Sequence, residues 1–175
     1  MVELILGGAR SGKSRYALGQ ALNHAGPVAW IATAEAHDAE MRERIRLHRA
    51  ERPARWRTLE SPLALSQALD AAGDTFTVID CLTLWVSNWL CTDDGPGWLA
   101  ERDAFLARLA ARRAPLLLVS NEVGFGIVPD NALARHFRDE AGFLHQAVAA
   151  VAPRVTLVVA GIPMTVKSPP EGHRQ

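Results

Sequence analysis

The sequence predicts an α/β fold: a single-domain P-loop NTPase with a mostly parallel central sheet and helices on both faces. Three observations carry that expectation. Apolar runs alternate with helical patterns along the 175 residues, the order expected of a parallel sheet with helical crossovers. The runs are continuously apolar rather than alternating, as strands covered on both faces require. The first run leads through the string GGARSGKS into a helical pattern, and strand, glycine-rich turn and helix are the setting in which that string binds phosphate.

Val2–Leu6 reads as the first strand. Gly7, Gly8, Ala9, Arg10, Ser11, Gly12, Lys13 and Ser14 then match G-x-x-x-x-G-K-[ST] in full. Loop N–H groups and the positive end of the helix Lys13–Ala25 face the phosphates there. The Lys13 ammonium is expected to reach the outer phosphates and the Ser14 hydroxyl to hold Mg²⁺. The chain has seventeen Arg and two Lys, and one of the two Lys is Lys13. A compact ammonium fits this position where a planar guanidinium would fit badly.

Val28–Ala32 is the second strand, and Ala36–Glu51 a helix that Pro53 ends. Leu63–Ala71 reads as a helix closed by Gly73, so its D-x-x-G letters belong to a helix terminus. Phe76–Asp80 is a strand, Leu82–Leu90 a helix, and Thr92–Gly97 a turn-rich surface loop. Helix Trp98–Arg112, strand Pro115–Ser120, helix Asn131–Val151 and strand Val155–Ala160 follow. The polar, Pro-containing end reads as a frayed tail. The expected organisation is one domain over residues 1–167 and a flexible tail over 168–175.

Ligands of such sheets sit beyond the carboxyl ends of the strands. Those ends are the P-loop, Ala32-Thr33-Ala34, Asp80, and Asn121-Glu122. Asp80 closes an apolar strand and is a second candidate ligand for Mg²⁺; a strand-end aspartate can also cap the next helix. Asn121 and Glu122 suit substrate or metal positioning and loop hydrogen bonding equally. No N-K-x-D follows the fourth of these ends, which disfavours a switch GTPase.

Composition excludes several classes. Lys plus Arg and Asp plus Glu are both 19, so no whole-molecule field draws nucleic acid or an anionic membrane. No stretch is long enough for a transmembrane segment, and no signal peptide is expected. Cys81 and Cys91 lack metal or redox spacing and read as small buried thiols of an apolar helical stretch. A cytoplasmic setting fits these features.

Met41–Arg57 holds seven of the seventeen Arg. Most read as a solvated basic helix face. Aromatic residues are too sparse for a nucleic-acid platform. Met41, Ile45, His48 and Arg52 share one helix stripe. The two apolar members should face the protein, turning His48 and Arg52 inward with them. By pattern alone, a lone inward histidine is most often structural. His37 and Glu40 have i, i+3 spacing without a third metal ligand, and His24, His136, His145 and His173 carry no catalytic signature.

The strings GGARSGKS, IAT, RIRLHRAERPARWRTLE, NEVGFGIVP and LARHFRDEAG together resemble one family. It is the bifunctional adenosylcobinamide kinase / adenosylcobinamide-phosphate guanylyltransferase family of cobalamin biosynthesis. The resemblance spans about Glu3 to Lys167. It implies a RecA-like fold, a homotrimer, and two reactions. In the first, GTP or ATP phosphorylates adenosylcobinamide. In the second, GTP guanylylates an enzyme histidine, and adenosylcobinamide phosphate takes the GMP to give adenosylcobinamide-GDP. His48 matches the guanylylated histidine, which reverses the structural reading. The nucleotide contacts implied are Gly7 to Ser14, Ala32, Thr33, Ala34, Arg49, Ala50, Glu51, Arg52, Glu60 and Asp80. Two rivals share the motifs: a single-activity P-loop kinase with a structural His48, and a non-enzymatic nucleotide-gated binding module.

Overall fold

Seven strands form one sheet in the order β3-β2-β4-β5-β1-β6-β7. The computed structural model describes residues 1–36, 38–92 and 94–169. The strands are β1 (Val2–Leu6), β2 (Val28–Ala32), β3 (Arg57–Glu60), β4 (Phe76–Asp80), β5 (Leu116–Val119), β6 (Arg154–Val159) and β7 (Ile162–Lys167). The first six run parallel, and β7 pairs antiparallel with β6. The helices are α1 (Lys13–Leu22), α2 (Ala39–Ala50), α3 (Leu65–Ala72), α4 (Leu82–Leu90), α5 (Gly95–Ala111) and α6 (Ala132–Val151). All five expected strands and six expected helices are present; β1, β2, β4 and α4 have the expected bounds, and the others have shifted ends.

The pleat sends alternate residues of each strand into two cores. Val2, Leu4, Ala29, Ile31, Ile79, Leu116 and Leu118 meet α3, α4, α5 and α6. Trp85 is the centre of that side, edge-on to Trp98 at 4.9 Å and to Phe105 at 5.0 Å. Burying a side chain such as Phe105 contributes about 1.5–3 kcal/mol. Ile5, Trp30, Val78, Leu117 and Val119 form the other core with α1, whose Ala17 and Ala21 let the helix lie close to the sheet.

The differences from expectation have local causes. α2 starts at Ala39 rather than Ala36, because Asp38 caps it by accepting from Met41 N at 2.7 Å. α5 starts inside the expected Thr92–Gly97 loop. Asp94 accepts from Gly97 N at 2.9 Å, and Pro96 sits in the first turn, where its missing N–H is harmless. Asn131 is the cap of α6 rather than its first residue. α1 ends at Leu22, three residues early, with Asn23 as its C-cap. β3 and β7 are additions. Cys81 is buried, but Cys91 is exposed at the end of α4, so only one of the two thiols is a core residue. Gly73 closes α3 with φ 57°, as its position implied. Lys167 belongs to β7, and its ammonium donates to Ala149 O at 2.7 Å. His37, and residues 170–175 of the expected tail, lie outside the described residues.

One buried histidine gives a stability test. His145 of α6 shares a hydrogen bond with Ser120, Nε2 to Oγ at 2.7 Å. Burial pulls its imidazole below the usual 6.5, against a smaller opposing pull from Glu122. As pH falls, the unfolded chain therefore takes up this proton before the folded one. Stability from this site is full above about pH 6.5 and declines below it. The urea midpoint should fall between about pH 7.5 and pH 5.5, and His145→Gln should shrink that fall. An unchanged difference would place the pH sensitivity in other groups.

Candidate nucleotide site

The carboxyl ends of five strands line up at one edge of the sheet. Register places them in a row: Glu60 opposite Ala32, Ala32 opposite Asp80, Asp80 opposite Val119, and Val119 opposite Ile5. One residue beyond Ile5, β1 ends and the P-loop begins.

The loop is held from both sides. Gly7 O accepts from Glu122 N at 2.9 Å, and Ser11 O accepts from Gly161 N at 2.8 Å. A Cβ on Gly7 would run into the Val158 carbonyl oxygen and Ser11 Oγ. Gly12, the N-cap of α1, has φ 99° and a Cβ there would come within 3.1 Å of Gly161 Cα. Both glycines are needed, Gly7 for close approach and Gly12 for its left-handed backbone as well. Gly161 lies in the two-residue turn between β6 and β7, where Ala160 at φ 51° and Gly161 at φ 80° give the doubly positive hairpin geometry. The hairpin thus buttresses the phosphate loop.

Lys13 is buried, and its ammonium donates to Gly8 O at 2.6 Å, inside the loop. Ser11 Oγ is buried without a hydrogen-bond partner among the described residues. A phosphate oxygen in the loop fits that orphaned hydroxyl. Ser14 and Asp80 offer hard oxygen donors. Among the described residues, no group of three or more His, Cys, Asp or Glu forms a metal cage. That donor set suits Mg²⁺, which completes its shell with phosphate oxygens and water.

Asp80 is positioned by Thr33. Thr33 Oγ1 donates to Cys81 O and accepts from Cys81 N, both at 2.8 Å, and Thr33 N donates to Asp80 O at 3.2 Å. Asn88 Nδ2 donates to Thr33 O at 2.8 Å. Thr33 is fully buried, so it acts beneath the site, while Ala32 and Ala34 are half-exposed beside it.

The inward stripe of α2 is present. Met41, Ile45, His48 and Arg52 are each half-buried, whereas Arg42, Glu43, Arg46, Leu47, Arg49, Ala50 and Glu51 are exposed. Arg52 Cζ lies 4.4 Å from the centre of the Trp30 ring, and Trp56 stacks on Trp30 at 6.0 Å. Burial pulls the Arg52 guanidinium down from its usual range, and the Asp80 carboxylate pushes it back up. Its Nε is buried and without a hydrogen bond among the described residues. The end of α2 is thereby fastened to β2, near Asp80. His48 stands one turn earlier on the same side. Its ring makes no hydrogen bond among the described residues, leaving both nitrogens available. Arg49 pairs with Glu60 at 3.4 Å, both side chains largely exposed; such a pair contributes roughly 0–1 kcal/mol.

Asn121 Nδ2 donates to Thr83 Oγ1 at 2.9 Å, and the Glu122 carboxylate accepts from Gly124 N. Both are engaged in loop hydrogen bonds. Trp30, Thr83 and Gly161 are supporting residues that sequence reasoning missed. The A-G turn at 160–161 was the one signal that could have pointed to Gly161.

The fold and the sequence have known counterparts. A protein of Pyrococcus horikoshii OT3 superposes with a TM-score of 0.58 at 8% identity, covering 97% of this chain and 87% of that one. An ATPase from a bacterial type III secretion system superposes with a TM-score of 0.50 at 11% identity, over 94% of this chain and 56% of that one. These likenesses bear on the fold alone. The bifunctional adenosylcobalamin biosynthesis protein CobP of Pseudomonas aeruginosa is 51% identical over 172 residues, covering 97% of this chain and 99% of the relative. The bifunctional adenosylcobalamin biosynthesis protein CobU of Salmonella typhimurium is 42% identical over 183 residues, covering 95% and 100%. The model of the cobinamide kinase / cobinamide phosphate guanyltransferase family matches residues 3–166. With the P-loop, Asp80 and the α2 stripe in place within that match, the chain belongs to the cobinamide kinase / cobinamide phosphate guanyltransferase family.

Proposed function

We propose that this chain runs both reactions of its family from one nucleotide site, with His48 as the covalent relay. It phosphorylates adenosylcobinamide and then transfers GMP to adenosylcobinamide phosphate. The observation that carries the reading is the α2 stripe. Arg52 is fastened over Trp30 beside Asp80, and His48 shares its face one turn away.

In the kinase step, the P-loop N–H groups and Lys13 bind the triphosphate and stabilise charge that develops on it. The acceptor hydroxyl attacks the γ-phosphorus and the nucleoside diphosphate leaves. In the second step, a neutral His48 ring nitrogen attacks the α-phosphorus of GTP. The N–P bond forms, the bond to the β-phosphate oxygen breaks, and pyrophosphate leaves with that electron pair. The other ring nitrogen gives up its proton to water and takes one back when the histidine later leaves. A phosphate oxygen of the phosphorylated corrinoid then attacks the same phosphorus and releases the histidine. Arg49 and Arg52 present forked donors to the α-phosphate. Ser14 and Asp80 would hold Mg²⁺, which would supply charge neutralisation on the triphosphate.

We further infer a homotrimer in the cytoplasm. The edge strand β7 supports association, with Ile162, Met164 and Val166 exposed along it. Two free cysteines support a reducing setting. No described helix is long and apolar enough to cross a membrane.

Nucleotide choice tests the assignment. The P-loop reads phosphates and not the base, so the kinase step is expected to accept ATP and GTP within about tenfold of each other in kcat/KM, a difference of about 1.4 kcal/mol. Nucleotidyl transfer is expected from GTP only. Radiolabelled nucleotides separate the steps, and equal transfer of AMP and GMP to the protein would refute the assignment.

A further inference from the structure

We propose that the loop between β5 and α6 is the platform for the corrin macrocycle, with Phe125, Ile127 and Val128 as its contact surface. The inference rests on the functional reading above and adds the acceptor's binding surface to it.

The loop's position comes first. It leaves the carboxyl end of β5, the strand next to β1, and Glu122 N donates to Gly7 O at 2.9 Å. An acceptor on this loop therefore stands beside the phosphates that Lys13 and Ser14 serve. Both ends of the loop are pinned. Asn121 is bonded to Thr83 at 2.9 Å. At the far end, the Arg135 guanidinium donates to Pro129 O at 2.9 Å and to Asp130 O at 2.7 Å.

Between the pins the side chains run against ordinary burial. Phe125 is 86% exposed, Ile127 97% and Val128 59%. Three large apolar side chains held in water by a fastened loop mark a binding surface. The family's acceptor supplies the matching chemistry. A corrin is a broad, flat macrocycle with apolar faces and a polar amide rim, and large ligands of this kind bind on mostly apolar walls. The cavity where α4 meets the start of α6 has a volume of about 320 Å³. That is too small for such a macrocycle. The exposed loop tip offers an open surface, on a loop whose first residues are bonded to the phosphate loop through Glu122 N.

The test is the triple variant Phe125→Ser, Ile127→Ser, Val128→Ser, compared with Phe125→Leu, which keeps the surface apolar. Adenosylcobinamide is the probe. The triple variant should show a KM for adenosylcobinamide raised at least about tenfold, with the KM for ATP, the pyrophosphate released from GTP without corrinoid, and the molar mass in solution unchanged. Phe125→Leu should raise the adenosylcobinamide KM less than the triple variant does. An unchanged corrinoid KM overturns the inference, as does an equal rise in the KM for ATP, which would make the loop a support for the P-loop. A changed molar mass also overturns it, by assigning the surface to a second copy. A parent chain that neither phosphorylates nor binds adenosylcobinamide overturns the functional reading and this inference together.

Discussion

Lys13→Ala is expected to abolish phosphoryl transfer and guanylyl transfer alike, while the protein stays folded. On the proposed reading, both reactions use the same triphosphate in the same loop. Lys13 is buried with its ammonium on Gly8 O, in the first turn of α1. Its ammonium therefore lies within the loop. Removing one preorganised donor from a site of developing charge lowers rates by about 10²–10³, and here the lost donor also carries a full positive charge. Lys13→Arg should fail as well, because a planar fork has to enter a loop narrow enough for its lysine to reach a carbonyl of the same loop at 2.6 Å. The measurements are cobinamide phosphorylation, GTP-dependent pyrophosphate release, and thermal unfolding of the variant. A Lys13→Ala protein that keeps near-normal guanylyl transfer would separate the two reactions onto different sites.

What could be read from the chain, and what could not, divides along the range of the interactions. The P-loop was legible because its eight residues are contiguous and carry their own conformational demands. Asp80 was legible because the carboxyl end of a buried strand is a fixed place in such sheets. β3 was missed because Arg57–Glu60 has one apolar residue in four. Its strand conformation comes from pairing with β2 rather than from its own pattern. β7 was missed because Pro163 argues against a strand, and only an edge position tolerates it. The Arg52–Trp30 contact is tertiary and joins residues from different elements, so no local pattern announces it. The inward stripe of α2 followed from spacing. The role of its histidine did not, since a structural and a nucleophilic histidine present the same periodicity.

That histidine gives the second large effect. With GTP and Mg²⁺ but no corrinoid, the protein is expected to gain one GMP per chain and to release pyrophosphate. His48 lies in the last turn of α2, with its ring nitrogens unbonded among the described residues and Arg52 fastened one turn away. A neutral imidazole attacks phosphorus well, and a covalent relay divides one difficult transfer into two. The product is a phosphoramidate, so the adduct should vanish in acid and survive alkali. His48→Asn should lose the adduct completely. It should keep phosphorylation of adenosylcobinamide, because that step transfers directly from nucleotide to acceptor. Lys13→Ala should lose both, by loss of the triphosphate rather than of the nucleophile. Intact mass before and after acid treatment reads the adduct, and a coupled assay reads the kinase step. An acid-stable adduct, or one that still forms on the His48→Asn protein, would move the nucleophile to another residue. A His48→Asn protein that loses the kinase step as well, with its fold intact, would show that the imidazole serves both reactions. The inward stripe would then be part of the phosphoryl-transfer site itself.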